Sequence, residues 1–477
     1  MSISLPQAFV QLMESYPWEY SRNLLEALSE GNPSLAVRVN TAKGAAVPCG
    51  AQKVEWDDRG FYLDTRPVFP LHPQWHQGLF YVQDASSMAT ATVLSFILQN
   101  YIENNSGLCY LDACAAPGGK TIAALDILPP DAFVVANEAD KRRANILAEN
   151  VAKHGCPNVA ITLGDACRFA KLRDTFHIIA ADVPCSGEGM MRKDLEAVGQ
   201  WSLNLVESCA AVQTDILDAL WGALKPGGFL IYSTCTFNRR ENEDRLEYMV
   251  SQYGAEIIEL PLSLFPGAVA GFVPGVARFL PGMVRGEGQF VALLHKPGHF
   301  SALQSKKKKS NSKACKIPSD VSDFVEKHVI DHQSYIIKEY TPGCYCIVPK
   351  GHEALIESVG GVSPLIRQGL PVVELKGKTA VPSHLLAMST ALRRDSFPAH
   401  ELDYAAAMAY LRGEALSDVP QEIPQGFYLT TYANQPLGFA KNIGRRANNL
   451  YPDALRLKMS PQSVPSSAPV PIISQEL

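Results

Sequence analysis

LCYLDA (residues 108–113), AAPGG (115–119), KTIAALDIL (120–128) and FVVAN (133–137) follow one another and decide the fold. A short apolar run bounded by small residues reads as a buried strand. The turn Ala115-Ala116-Pro117-Gly118-Gly119 ends it, and Lys120 to Leu128 reads as a helix. Phe133 to Asn137 is a second strand that closes on Glu138. The same alternation continues outward. Lys141 to His154 is a helix stopped by Gly155 and Pro157, Val159 to Leu163 a third strand before Asp165, and His177 to Ala181 a fourth before Asp182. A long helix is predicted over Glu207 to Leu224, with Val212, Ile216, Leu220 and Leu224 forming one apolar stripe, and Lys225-Pro226-Gly227-Gly228 stops it. Phe229 to Ser233 is a strand before Cys235, and Phe290 to Leu294 a late strand. The stretch Ala268 to Val284, broken by Arg278, Pro274, Pro281 and glycines, reads as a loop. Strand–helix alternation of this kind predicts an α/β fold around a parallel, doubly wound sheet.

The chain has 477 residues, 47% apolar and 19% charged, which excludes global disorder. Lys plus Arg total 43 and Asp plus Glu 48, so the net charge of −5 does not by itself announce a nucleic-acid partner. A basic patch is compatible with that balance. The start carries no signal-peptide pattern and no run is long enough to span a bilayer, so no membrane partner is expected. The 11 cysteines include no Cys-x-x-Cys pair, which suits reduced thiols in a cytoplasm. Cys344 and Cys346, one residue apart, are a weak signal for a metal role, and no metal is expected. Ser305 to Lys316, with six lysines and no acid, reads as a flexible tether. The expected division is an N-terminal unit over 1–77, the α/β unit over 78–300, a Lys-rich linker over 301–320, and two small α+β units over 321–395 and 396–477.

In an open parallel sheet, ligands bind outside the carboxyl ends of the strands, and polar signatures stand at four such ends here. Cys114-Ala115-Ala116-Pro117-Gly118-Gly119-Lys120 lets backbone approach a ligand and offers helix N–H groups. It is neither a Walker A loop nor a G-x-G-x-x-G loop. Glu138 suits the hydroxyls of a ribose, because a carboxylate accepts two hydrogen bonds. Asp165 can accept from an adenine amino group. Each acid alone is more often a solvated loop residue or a helix cap; together with the loop they outline a pocket for an adenosine-containing ligand. The fourth signature pairs Asp182-Val183-Pro184-Cys185-Ser186-Gly187-Glu188-Gly189 with Ser233-Thr234-Cys235-Thr236. One strand-end cysteine reads as a small buried hydrophobe; two facing one cleft do not.

LDACAAPGGKT, DVPCSGEGMMRKD, LKPGGFLIYSTCT and the following ENED resemble the RNA cytosine-5 methyltransferases of the Sun/Fmu/Nop type. Val37 to Thr41 and Gly78 to Met88 resemble that family's N-terminal region. Gln435 to Gly438, Ala440-Lys441 and Asn449 to Pro452 look like its RsmF branch, which methylates 16S ribosomal RNA and carries a PUA-like RNA-binding end. The resemblance implies a Rossmann-like methyltransferase sheet, a small N-terminal domain and a C-terminal α+β, PUA-like region over 396–477. It implies S-adenosylmethionine as cofactor, with Cys114 to Lys120 around its methionine end, Glu138 on the ribose, Asp165 at the adenine, Asp182 beside cofactor and target base, and Arg143 at a basic position of the pocket. The implied partner is small-subunit ribosomal RNA, the implied compartment the cytoplasm, and the expected state a monomer. Lys306 to Lys316, Lys441, Arg445, Arg446, Arg456 and Lys458 are the expected phosphate contacts.

Carbon 5 of cytosine is a poor nucleophile, which covalent catalysis remedies. A thiolate adds to carbon 6, carbon 5 is methylated, a base takes its proton, and the thiolate leaves. The chain's two thiols are both candidates on chemical grounds. The DNA enzymes use the Cys of Pro-Cys, which points to Cys185. The resembled RNA family uses the Cys of Thr-Cys-Thr, here Cys235, with Cys185 assisting release and Asp182 partnering the base. Three rival readings remain at this level: a nicotinamide dehydrogenase, a catalytically silent RNA-binding assembly factor, and a transfer-RNA methyltransferase of the same mechanism.

Overall fold

The structure, a computed structural model, describes residues 3–17, 19–46, 50–103, 106–299, 317–417 and 419–473. The expected Lys-rich linker lies outside the described residues as far as residue 316. Two helices, Gln7–Ser15 and Ser21–Glu30, precede a three-stranded antiparallel sheet of β1 (Ala36–Val39), β2 (Gly60–Tyr62) and β3 (Phe80–Val82), with β1 in the middle.

The central sheet holds β4 (Cys109–Asp112), β5 (Phe133–Glu138), β6 (Val159–Leu163), β7 (Phe176–Asp182) and β8 (Leu224–Thr234) in the order β8-β7-β4-β5-β6, all parallel. Alternation of side chains divides its core. Tyr110, Val134, Ala136, Ile178 and Ala180 face one way, toward the helices Ala89–Asn100, Gly119–Ile127 and Lys141–His154. Leu111, Phe133, Val135, Ile179 and Ala181 face the other, toward Leu203–Ala223 and Glu243–Tyr253. The expectation of strand–helix alternation therefore holds at the centre. The edges differ: the sheet is antiparallel on both sides. After β9 (Glu256–Ile258), β10 (Val269–Ala270) and β11 (Ala277–Phe279), strand β12 (Gln289–His295) runs antiparallel to β8 and pairs with β9 and β11.

The Lys141–His154 helix shows why the boundaries form. The Asp140 carboxylate accepts from the N–H groups of Arg142 and Arg143, both at 2.9 Å, and Gly155 closes the helix at φ 91°. Elsewhere the expectations need correcting. Ala268 to Val284 is not all loop, since it holds β10 and β11. Strands of two and three residues show no periodicity, and the charge that argued for a loop, Arg278, is 1% exposed and bonded to the buried Glu243 carboxylate. In the long helix, which starts at Leu203, Val212 is 46% exposed. A strict spacing of four overshoots a turn by about 40° per step, so the true buried face is Val206, Ala210, Gln213, Ile216, Leu217 and Leu220. The Lys225–Gly228 stretch ends the helix but is itself the start of β8, where Leu224 pairs with Phe176.

Beyond residue 316, β13 (Tyr335–Thr341) and β14 (Cys344–Pro349) begin a second antiparallel sheet. The next strand, β15 (Leu365–Gln368), leaves it to pair with β6 at the edge of the central sheet. β16 (Leu370–Lys376) and β17 (Thr379–Pro382) complete the second sheet. β18 (Ala399–Glu401), β19 (Gly426–Tyr432), β20 (Gln435–Asn442) and β21 (Ala447–Asn449) make a last, mixed sheet, with β18 parallel to β19 and the other pairs antiparallel. Among the described residues no helix is long and apolar enough to cross a membrane.

Candidate active site

The carboxyl ends of β4, β5, β7 and β8 lie side by side, so the loops after them share one rim. Gly118 begins the helix after β4 at φ 116°, a conformation that favours glycine, and a Cβ there would lie 3.2 Å from Leu147. Cys114, Ala115, Ala116, Pro117, Gly119 and Lys120 line a cavity of about 150 Å³ together with Asp182. Tyr81, Gln83, Asp84 and Ser87 close its far wall. These four were not singled out as site residues in the sequence. The signal was the polar run Gln83-Asp84-Ala85-Ser86-Ser87 directly after an aromatic strand, about 30 residues ahead of the loop it faces.

Glu138, Arg143 and Asp165 stand next to this cavity rather than in its lining. The Glu138 carboxylate accepts from the N–H groups of Ala139 and Asp140 at 2.8 and 2.9 Å, and Arg143 pairs with its other oxygen at 3.5 Å. Arg143 also donates to the Ala116 carbonyl at 2.8 Å, so it joins the loop to Glu138. Asp165 accepts from the Cys167 N–H at 2.8 Å as a cap, and the Gly164 N–H donates to the Glu138 carbonyl at 2.9 Å, which holds the two acid-bearing loops together. Buried beneath the loop, Asp112 accepts from the Thr121 hydroxyl at 2.6 Å; its second oxygen has no partner. Burial pushes this carboxyl up to about 7, against the pull of the Thr121 hydrogen bond.

Asp182 is held from three sides. Lys120 donates to one oxygen at 2.8 Å, and Ser233 and Gln289 donate to the other at 2.7 and 3.2 Å. Burial lowers the proton affinity of Lys120, but Asp182 beside it more than compensates, and the ammonium ends above its ordinary range. The Cys185 and Cys235 sulfurs are 3.3 Å apart. The hydrogen bond to Cys235, then burial, lifts the Cys185 thiol well above its ordinary range.

Two carboxylates that carried no role in the sequence reading fasten the cysteine loops. Glu241 accepts from the Ser186 N–H at 2.9 Å, Gln213 at 2.9 Å, Asn238 at 2.7 Å and the Ser186 hydroxyl. Glu188 accepts from the N–H groups of Phe237 and Asn238 and from Trp201. Both are fully buried. Gly189 donates to the Cys235 carbonyl at 2.8 Å, and a Cβ there would sit 3.0 Å from that oxygen. Among the described residues no three His, Cys, Asp or Glu side chains group to hold a metal ion.

The residues present fit a small-molecule cofactor at this rim. Small side chains line one wall of the cavity, the Lys120–Asp182 ion pair is part of its lining, and adding a Cβ at Gly119 would crowd Tyr81 at 3.1 Å and Gln83 at 3.2 Å.

Comparison with known proteins agrees over most of the chain. The family described as 16S rRNA methyltransferase RsmB/F matches residues 99–295, the N-terminal domain of 16S rRNA methyltransferase RsmF residues 5–85, and the methyltransferase RsmF PUA domain residues 397–457. The ribosomal RNA small subunit methyltransferase F of Shewanella loihica is 33% identical over 86% of this chain and 85% of its own. The protein of that name from Escherichia coli O7:K1 is 31% identical over 95% and 97%. A crystal structure of a methyltransferase homolog from Pyrococcus horikoshii is 25% identical, with a TM-score of 0.52 over 61% of this chain and 95% of that one. Sheet, loops and relatives agree: the chain belongs to the RsmB/F family of 16S rRNA methyltransferases, in its RsmF branch.

Proposed function

We propose that the protein transfers a methyl group from S-adenosylmethionine to carbon 5 of a cytosine in small-subunit ribosomal RNA, through a covalent bond between Cys235 and that base. The observation that carries this reading is the pair of thiols 3.3 Å apart at the ends of two neighbouring strands, beside the Lys120–Asp182 pair. S-adenosylmethionine, the methyl donor of this family, supplies an activated methyl group when bound. Cys114 to Lys120, Glu138, Arg143 and Asp165 are the residues that would hold it, with Asp182 between it and the target base.

In this reading the Cys235 thiolate attacks carbon 6 while Asp182 holds a proton at N3, which draws electron density from carbon 6. Carbon 5 becomes nucleophilic and is methylated. The carbon-5 proton then goes to a base and the Cys235 sulfur leaves carbon 6. Cys185, held as a thiol against Cys235, hydrogen-bonds the departing sulfur. The base must be unstacked to reach this rim, at a cost of a few kcal/mol, which favours a loop or helix end of the RNA.

The division into 1–77, 78–300, 301–320, 321–395 and 396–477 is proposed with two qualifications drawn from the strand pairing: β3, just past residue 77, belongs to the N-terminal sheet, and the fourth segment lends β15 to the central sheet. We further propose a cytoplasmic monomer. Bisulfite sequencing of small-subunit ribosomal RNA from cells with and without the gene tests the reading. One cytosine loses its protection when the gene is absent; an unchanged pattern contradicts it.

A further inference from the structure

A second cavity, of about 430 Å³, lies where three parts of the chain meet. Ala42, Lys43 and Gln77 come from the N-terminal part, Ala387 to Asp395 from the segment after β17, and Gln435 and Pro436 from β20. It shares no lining residue with the cavity at the strand ends. Lys153 and Gly155, which touch this region, end the helix whose first turn follows Glu138, and 14 helical residues span about 21 Å.

Three cations line it, and their hydrogen-bond partners are neutral. Lys43, 7% exposed, donates to the carbonyls of Gln77 at 2.8 Å and Lys153 at 2.5 Å. Arg394 donates to the Gln435 side-chain oxygen at 2.7 Å and to the Asn434 carbonyl at 3.5 Å. Arg393 donates to the carbonyls of Lys327 and Val329 at 3.2 and 3.4 Å. One carboxylate, the exposed Asp395, shares the wall. The carbonyls of Gln77 and Lys153 account for two of the Lys43 hydrogens; an ammonium has three. Burial, then the Arg394 charge, pulls Lys43 down to about 7. A second observation concerns acceptors. Gln77, 1% exposed and part of the lining, spends its amide hydrogens on the Tyr432 and Gln435 carbonyls, and its own oxygen has no donor.

We propose that this cavity binds a phosphate group that carries a hydroxyl beside it, with Lys43 and Arg394 on the anion and the Gln77 oxygen accepting from the hydroxyl. An RNA backbone offers that pair, its 2′-hydroxyl standing next to a phosphodiester, and so does free hydrogen phosphate. With RNA as the source, which rests on the function proposed above, the cavity is a distal anchor that fixes the substrate's orientation while the cysteines work on one base.

The test titrates the full-length protein, Arg394→Gln, Lys43→Met and the control Lys376→Gln with small-subunit ribosomal RNA and, separately, with inorganic phosphate. S-adenosylmethionine affinity serves as the check on folding. Arg394 is exposed, so its variant is expected to keep the fold even where Lys43→Met does not. Losing one charged hydrogen bond weakens RNA binding about tenfold and flattens the slope of log affinity against log salt by about 0.7. The control and the cofactor affinity stay as in the parent. Loss of phosphate binding alone, with RNA affinity unchanged, assigns the site to a free phosphate ligand. Loss of phosphate binding in Arg394→Gln when the parent binds no ribosomal RNA keeps the site and overturns the substrate reading. Parent-like binding of both probes by Arg394→Gln overturns the proposal.

Discussion

At the scale of single residues, the unusual group is Asp112. It is fully buried, accepts one hydrogen bond and has an unpartnered oxygen. Burial raises its carboxyl from about 4 in the unfolded chain to about 7 in the folded one. The folded state therefore holds this proton more tightly than the unfolded state does. Its contribution to stability is complete below about pH 4 and is lost as pH rises toward and through 7. Asp112→Asn, which keeps an acceptor for Thr121 and has no proton to lose, should gain thermal stability relative to the parent between pH 5 and pH 8 (about 1.4 kcal/mol per pH unit at most). Melting curves that stay parallel across that range contradict this assignment. The residues of the rim differ in how legible they are. Glu138, Asp182 and Cys235 stand at or just past the ends of apolar runs, where the continuous apolar stretch of a buried strand gives way to polar residues. Glu188 and Glu241 have no such marker, because an acid that accepts buried N–H groups looks in sequence like one on the surface. Tyr81 and Gln83 reach the cavity from a separate antiparallel sheet, a contact set by tertiary packing alone.

At the scale of elements, the helix Leu203–Ala223 makes the sharpest distinction. Leu217 and Leu220 are fully buried against the sheet, while Val212 points outward. Leu217→Ala should cost about 2–5 kcal/mol in urea unfolding, and Val212→Ala should stay within about 0.5 kcal/mol. Equal losses contradict the helix orientation described here. The helix Lys141–His154 is legible because Asp140 and Gly155 mark both its ends, whereas the Ser202 cap does not place the start of Leu203–Ala223, which the apolar stripe sets at Glu207. The outer strands are not legible. β15 has four residues, a charged Arg367 among them, and its partner β6 lies some 200 positions earlier, so neither length nor local pattern announces it.

At the scale of the molecule, the C-terminal third is built into the rest of the chain. β15 covers the edge of β6. His352 contacts the Asp131 carbonyl at 2.9 Å, Gln77 donates to Tyr432 and Gln435 at 2.8 Å, and Gln74 donates to the Ile473 carbonyl at 2.7 Å. A chain cut after residue 320 loses all of these and exposes the β6 edge to pairing with other chains. It should melt at a lower temperature than a chain lacking only 397–477, which keeps β15, and should aggregate on heating. A 1–320 fragment that melts with the full-length protein contradicts this. The family matches to 99–295 and 397–457 leave residues 296–396 between them. Within that interval lie β15 and most of the phosphate cavity's lining.

The roles of the two cysteines test the account most directly. Attack precedes methyl transfer and release follows it, so blocking release traps what attack has made. Incubated with small-subunit ribosomal RNA and S-adenosylmethionine, Cys185→Ala should accumulate a protein–RNA adduct that survives denaturing electrophoresis and disappears under RNase. Cys235→Ala should form no adduct and transfer no methyl group. An adduct from Cys235→Ala and none from Cys185→Ala would contradict the account and exchange the two roles.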